Sequence, residues 1–126
     1  MRVLVVDDAV TFRKAVSEAL GQMAGVEVLG TAPNGRIALR KVDQMKPDVV
    51  ILDVEMPEMD GLEATRAIRQ TEEGSGRRLP IVAMTAHAMK GDEERCLASG
   101  MDTYVAKPID PNVLFDSIRR ALASHA

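Results

Sequence analysis

An α/β fold, with one parallel five-stranded sheet between two layers of helices, is predicted by three features of the sequence. Short unbroken apolar runs recur at Val3-Leu4-Val5-Val6, Val49-Val50-Ile51-Leu52 and Ile81-Val82-Ala83-Met84. Strands buried on both faces read this way, whereas half-exposed strands alternate. Between the runs lie segments with apolar residues at helical spacing, and clusters of Gly, Pro and Asn divide the two kinds of segment. Five β-α units in succession imply right-handed crossovers and helices on both faces of one sheet.

The elements follow in order. The first strand is Val3 to Val6, and the first helix carries the stripe Phe12, Ala15, Val16, Ala19, Leu20 and Met23. Val26 to Thr31 is a weaker strand candidate. Pro33-Asn34-Gly35 and Lys46-Pro47-Asp48 bracket a second helix with Ala38, Leu39, Val42 and Met45 on one side. After the run at 49–52, Gly61 to Gln70 is helical by composition, with either Leu62, Thr65 and Ile68 or Ala64 and Ile68 facing inward. Gly74-Ser75-Gly76 marks a loop before the fourth run. The fourth helix, about His87 to Ser99, is the weakest: its middle, Lys90-Gly91-Asp92-Glu93-Glu94-Arg95, is solvated, and an interior Gly costs about 1 kcal/mol against Ala. So little apolar anchorage makes it easy to shift. Gly100 suits the end of that helix, Thr103 to Ala106 is the other weaker strand candidate, and Asp110-Pro111 reads as N-cap and first position of a helix bearing Leu114, Ile118, Ala121 and Leu122.

Composition narrows the function. A length of 126 residues suits a single domain over 1–126, long enough to bury its own core without staples. Two Phe, one Tyr and no Trp leave no stacking platform for nucleic-acid bases. A net charge of -3 argues against direct nucleic-acid binding by the domain. The single cysteine, Cys96, makes no disulfide or cysteine zinc site and reads as a small core residue. No apolar run approaches the roughly 18 residues of a membrane span, and the N-terminus is not a signal peptide, so a cytoplasmic location is expected.

The chemistry collects at the strand ends. Past the first run stand Asp7 and Asp8, past the third Asp53, past the fourth Thr85, and past the fifth strand Lys107. In an open α/β sheet the carboxyl ends of the strands share one rim, where ligands bind. Three carboxylates gathered there repel one another, and an all-oxygen donor set suits Mg²⁺. A carboxylate beside such a cation can attack phosphorus and form an acyl phosphate; Asp53, central in the sheet, is the best candidate. Lys107 and Thr85 could contact the oxygens of the transferred phosphoryl group.

These residues carry a resemblance. Val5-Val6-Asp7-Asp8, Leu52-Asp53-Val54-Glu55-Met56-Pro57 with Met59-Asp60-Gly61, Met84-Thr85-Ala86 and Tyr104-Val105-Ala106-Lys107-Pro108, in this order, resemble the receiver domains of two-component response regulators over essentially the whole chain. The resemblance implies a flavodoxin-like sheet of order 2-1-3-4-5. It implies that Asp53 is the phosphoacceptor, served by a histidine kinase or a histidine phosphotransfer protein. Asp8, Asp53 and the backbone carbonyl of Glu55 would hold Mg²⁺ directly, and Asp7 through water. Lys107 would contact the phosphoryl group, and its bond to Pro108 would be cis. Thr85 and Tyr104 would be switch residues relaying the change to a downstream partner on the surface of helix 4, strand 5 and helix 5. Glu55 and His87 would tune dephosphorylation, and the only reaction catalysed would be the domain's own phosphorylation and dephosphorylation. Val28-Leu29-Gly30-Thr31-Ala32-Pro33-Asn34-Gly35 and Asp53 to Pro57 are most like receivers of chemotaxis methylesterases. Met84 to Gly91 and Cys96 to Asp102 are more like those of hybrid histidine kinases.

Plainer readings stand beside these. Asp7-Asp8 alone would be a solvated turn, Thr85 can also cap a following helix, and His87 can be an exposed polar residue at a helix start. His125 reads as tail. Gly30 to Gly35 has phosphate-loop glycine spacing but is followed by Arg36-Ile37 instead of Lys and Ser or Thr, so it is a turn. A small Mg²⁺-dependent phosphohydrolase with an Asp nucleophile is the rival enzyme; it would want an acid/base Asp at position 55, where Glu stands, and a substrate pocket. A flavin carrier would need aromatics the chain lacks.

Overall fold

The computed structural model describes residues 1–56, 59–86, 90–107 and 109–123. Five strands, β1 (Arg2–Val6), β2 (Glu27–Ala32), β3 (Val49–Asp53), β4 (Ile81–Thr85) and β5 (Thr103–Ala106), alternate with five helices. These are α1 (Val10–Gly21), α2 (Gly35–Met45), α3 (Gly61–Glu72), α4 (Lys90–Ser99) and α5 (Pro111–Ala123). All strand pairs are parallel, in the order β2-β1-β3-β4-β5, as expected from the resemblance.

The unbroken apolar runs are explained by the period of two along each strand. Val3, Val5, Val49, Ile51, Val82 and Met84 point to one face and pack with Val16 and Leu20 of α1 and Leu114, Ile118 and Ala121 of α5. Leu4, Val6, Val50, Leu52, Ile81 and Ala83 point to the other and pack with Ala38 of α2, Leu62, Ala64 and Ile68 of α3, and Cys96 of α4. Two cores thus lie back to back across the sheet.

Boundaries differ from the sequence reading where tertiary contacts decide them. β2 runs one residue later than expected, and its register slips so that Val3 pairs Val28 while Leu4 pairs Gly30. β3 and β4 extend onto Asp53 and Thr85 themselves, so these side chains stand on the ladder and not beyond it. Met23 lies past the end of α1, and Ala15 of its stripe is exposed. Both inward faces considered for α3 are buried at once, because α3 contacts α2 and α4 as well as the sheet's core. Asn34, Asp60 and Asp110 each accept a hydrogen bond on Oδ1 from the backbone N–H two or three residues on (2.9, 2.8 and 2.9 Å), fixing the starts of α2, α3 and α5.

The fourth helix is weakly anchored, as its composition suggests: Cys96 and Ser99 are buried, while Leu97 and Ala98 are exposed. The first three residues proposed for it, His87 to Met89, lie outside the described residues. Its C-terminal end is fixed firmly. Gly100 has φ +110, a conformation strained for residues with a Cβ, and its N–H bonds Leu97 O (3.1 Å) while Met101 N–H bonds Cys96 O (3.2 Å), closing the helix. Arg69 of α3 then clamps this turn. Its guanidinium donates to Gly100 O (2.9 Å), Leu79 O (2.8 Å), Glu72 Oε1 (2.8 Å) and Asp102 Oδ2 (3.0 Å).

Two glycines separate backbone proximity from mere tolerance. A Cβ on Gly61 would overlap the Asp53 carbonyl and lie 2.9 Å from Val54 Cα, whereas one on Gly91 would meet nothing within 4 Å. Gly61→Ala is expected to destabilise the domain by about 2–4 kcal/mol, since backbone atoms must give way. Gly91→Ala should leave stability unchanged or raise it by up to about 1 kcal/mol. Chemical denaturation of both variants checks this, and equal effects would contradict it.

Candidate functional site

The rim residues converge as the sequence reading expects. Asp7 follows β1 directly, and its backbone N–H is held by Ala32 O (3.0 Å) at the end of β2. Its Oδ1 accepts from Ala9 N–H (2.9 Å), and its buried Oδ2 lies 2.8 Å from Lys107 Nζ. Lys107 follows β5, where its N–H bonds Thr85 O (2.7 Å). Its ammonium also lies 3.3 Å from Asp53 Oδ1, so one cation bridges the first and third strand ends. Asp53 Oδ1 further accepts from Glu55 N–H at 3.4 Å, and Val54 N–H bonds Met84 O (2.9 Å), which holds the loop after β3 against β4.

Asp7, Asp8 and Asp53 each offer a carboxylate oxygen within 4.8 Å of the others. Asp7 and Asp53 are buried and Asp8 is exposed, so the trio opens to solvent on the Asp8 side. Three hard oxygen donors, with one ammonium among them, fit a small divalent cation that keeps several waters. Beside Asp8 lies a cleft of about 490 Å³ lined by Asp8, Val54, Glu55, Met56, Asp60 and Arg95. A larger groove of about 610 Å³ lies at the opposite ends of the strands, between Lys46–Asp48 and Leu79–Pro80, away from every rim residue named here.

Thr85 is buried as the last residue of β4, and Tyr104 is half-buried, packed against the core face that holds Cys96 and Met101. Glu55 is exposed at the cleft. His87, Pro108 and His125 lie outside the described residues. Sequence reasoning missed two contributors. Phe12, taken as an ordinary member of the α1 stripe, places its ring centroid 4.1 Å from Lys107 Nζ, a cation–π contact. Arg95, read as part of a solvated charge run, reaches the cleft from α4. Neither has a local signal: both depend on which helix covers the rim.

Burial and charge crowding both show in the titration of the site. Burial, and then the neighbouring Asp7 carboxylate, lift Asp53 from the ordinary 3.8 to about 6, against the opposing pull of Lys107. Burial alone would lower Lys107, but Asp7 and Asp53 outweigh it and its pKa is raised. Because Asp53 binds its proton more tightly in the folded state, its contribution to stability falls as pH rises from about 4 through 6. Asp53→Asn should therefore stabilise the metal-free protein at pH 7.5 by about 1–2 kcal/mol, raising its thermal midpoint by roughly 3–6 °C. The gain should shrink toward pH 4. Thermal melts of both proteins across this range decide it, and a pH-independent difference would refute the assigned shift.

Comparison with known proteins agrees with this geometry. The sequence pattern of the response regulator receiver domain matches residues 3–119. A protein-glutamate methylesterase/protein-glutamine glutaminase of Nocardioides sp. is 44% identical over 97% of this chain, and a hybrid signal transduction histidine kinase of Dictyostelium discoideum is 39% identical over 98%. The chain spans 34% of the length of the first and 7% of the second. The crystal structure of the chemotaxis protein CheY4 of Vibrio cholerae superposes with a TM-score of 0.84, at 36% identity, covering 96% of this chain and 98% of that one. Relatives of both kinds suggested by the motifs are thus found. An acidic rim bridged by one lysine, a five-stranded sheet of order 2-1-3-4-5 and a family match over nearly the whole length lead to one conclusion: the chain belongs to the response regulator receiver domains, the phosphorylation-dependent switches of two-component signalling.

Proposed function

We propose that the 126 residues form one receiver domain in which Asp53 is the phosphoacceptor. The observation that carries this is the placement of the Asp53 carboxylate: buried on the central strand, 3.3 Å from the Lys107 ammonium, within reach of Asp7 and Asp8, and beside an open cleft. The donor would be the phosphohistidine of a histidine kinase or phosphotransfer protein. An Asp53 oxygen forms the new O–P bond as the donor's P–N bond breaks, and the electron pair departs on the imidazole nitrogen.

Asp8, Asp53 and the Glu55 carbonyl would hold Mg²⁺, with Asp7 acting through water. Bound there, the cation supplies positive charge for the phosphoryl oxygens and relieves the repulsion among the carboxylates. Lys107 contributes a second positive charge from the β5 side, held in place by Asp7 and by Phe12. The Thr85 hydroxyl, at the end of β4, is suited to donate a hydrogen bond to a phosphoryl oxygen. Glu55 and His87 are assigned to control of dephosphorylation, so that the chain's own catalysis is confined to gaining and losing its phosphoryl group.

Output would pass through Thr85 and Tyr104 to the surface of α4, β5 and α5. Tyr104 pairs in register with Ala83 and packs on the same core face as α4's Cys96. The phosphoryl group biases two pre-existing arrangements only through contacts that differ between them, and the thinly anchored α4 is the element with least to lose by moving. The downstream partner or effector domain docks there, and the whole acts in the cytoplasm. No helix of the described residues is long and apolar enough to cross a membrane.

Incubation with a small-molecule phosphodonor and Mg²⁺ should label the wild type on a single residue. Asp53→Asn, or chelation with EDTA, should remove the label, read by intact mass. Stoichiometric labelling of the variant elsewhere would overturn the assignment. Tyr104→Ala should be labelled to the same extent, yet lose most of the phosphorylation-induced amide chemical-shift change along Lys90–Ser99. An undiminished response would exclude Tyr104 as a relay.

A further inference from the structure

We propose that Arg95 of α4 is a recognition residue for the phosphoryl donor, a second cation besides the β5 lysine that the incoming anion meets at the cleft. This rests on Asp53 being the phosphoacceptor. The cleft beside the carboxylate trio is lined by three acidic side chains, Asp8, Glu55 and Asp60, and among its described lining residues Arg95 carries the positive charge. Asp60 is already committed through Oδ1 to the N-terminus of α3, and Lys107 is mostly buried between Asp7 and Asp53. An acyl phosphate or phosphoramidate entering past Asp8 therefore meets a mouth that is net negative among its described lining residues, with the exposed guanidinium of Arg95 beside the carboxylates.

The position of Arg95 is set by the fold. Buried Cys96 and Ser99 fix which side of α4 faces the core, leaving Arg95 about 100° round the helix from Cys96. Side chains on a helix lean toward its N-terminus, here the end that follows β4 at the carboxyl rim. The other end of α4 is tied down by the Gly100 turn and by Arg69, which grips Gly100 O and Asp102. Arg95 is consequently presented over the cleft by a helix with one secured end. A guanidinium offers a fork of donors suited to phosphate oxygens, but over an open cleft its main effect is that of a point charge.

Such an effect grows with the charge of the donor. Removing one positive charge should multiply the apparent second-order rate by one factor for a monoanion and by the square of that factor for a dianion. The test measures initial labelling rates of the full chain at saturating Mg²⁺ and low ionic strength, near neutral pH. The donors are acetyl phosphate, largely dianionic, and phosphoramidate, largely monoanionic. Arg95→Gln should slow labelling about 3–10-fold with the dianion and by about the square root of that with the monoanion. Arg95→Lys should restore the rate to within about twofold, and added salt should erase the difference. Arg77→Gln, the same charge change at an exposed position by the opposite ends of the strands, should leave both rates unchanged. Equal slowing with both donors, no slowing, or failure of Lys to rescue would each overturn the role of Arg95. Absence of Asp53 labelling in the wild type with either donor would instead overturn the phosphoacceptor reading on which it depends.

Discussion

Everything at the rim is organised around one ammonium group. Lys107 Nζ lies 2.8 Å from Asp7 and 3.3 Å from Asp53, and these carboxylates come from strands that are neighbours in the sheet but far apart in sequence. Without the lysine, two buried negative charges would face each other across the β1–β3 pair, a placement costly in a low-dielectric setting. With it, the repulsion is reduced but not abolished: burial first, and then the Asp7 carboxylate, still raise the pKa of Asp53. The site is left short of positive charge among three carboxylates. The ring of Phe12, 4.1 Å from the ammonium, adds a partner that does not compete for carboxylate oxygens.

The same economy explains the surrounding backbone. Gly61 lets α3 begin against the Asp53 carbonyl, and its N–H bonds Val54 O at 3.0 Å, so the chain leaving Asp53 turns back at once. Extension of β3 and β4 onto Asp53 and Thr85 gives both residues ladder partners, which restricts their movement more than a loop position would. Precision at the rim is therefore a property of strand ends, while the least anchored helix is α4, whose buried residues among those described are Cys96 and Ser99.

How much of this was legible in the sequence follows from the range of each interaction. The apolar runs of β1, β3 and β4 are decided by burial on both faces, which composition records directly, and the five acidic, hydroxyl and cationic rim residues announce themselves by standing at the ends of strands. The order of the strands was legible only through resemblance. The slip in β2 at Leu29 was hidden, because register is set by the partner strand and not by the run itself. The double burial of α3 was ambiguous for a related reason: two inward faces were each plausible until α2 and α4 were in place to cover both. Arg69 was invisible among the charges of α3, since its four acceptors come from its own helix, the segment before β4 and the turn after α4. Phe12 and Arg95 escaped notice in the same way.

The sheet also acts as a partition. α4, Tyr104 and Met101 belong to one hydrophobic cluster, while α1, α5 and Val105 belong to the other, with the strands as a common wall. Repacking around α4 would disturb the first cluster and spare the second, which underlies Phe12 and so the placement of Lys107. The packing around α4 and the packing that holds the rim can thus vary independently within one small domain. Surface change on either side would likewise be tolerated separately, which suits a domain whose close relatives occur within proteins as different as an esterase and a kinase.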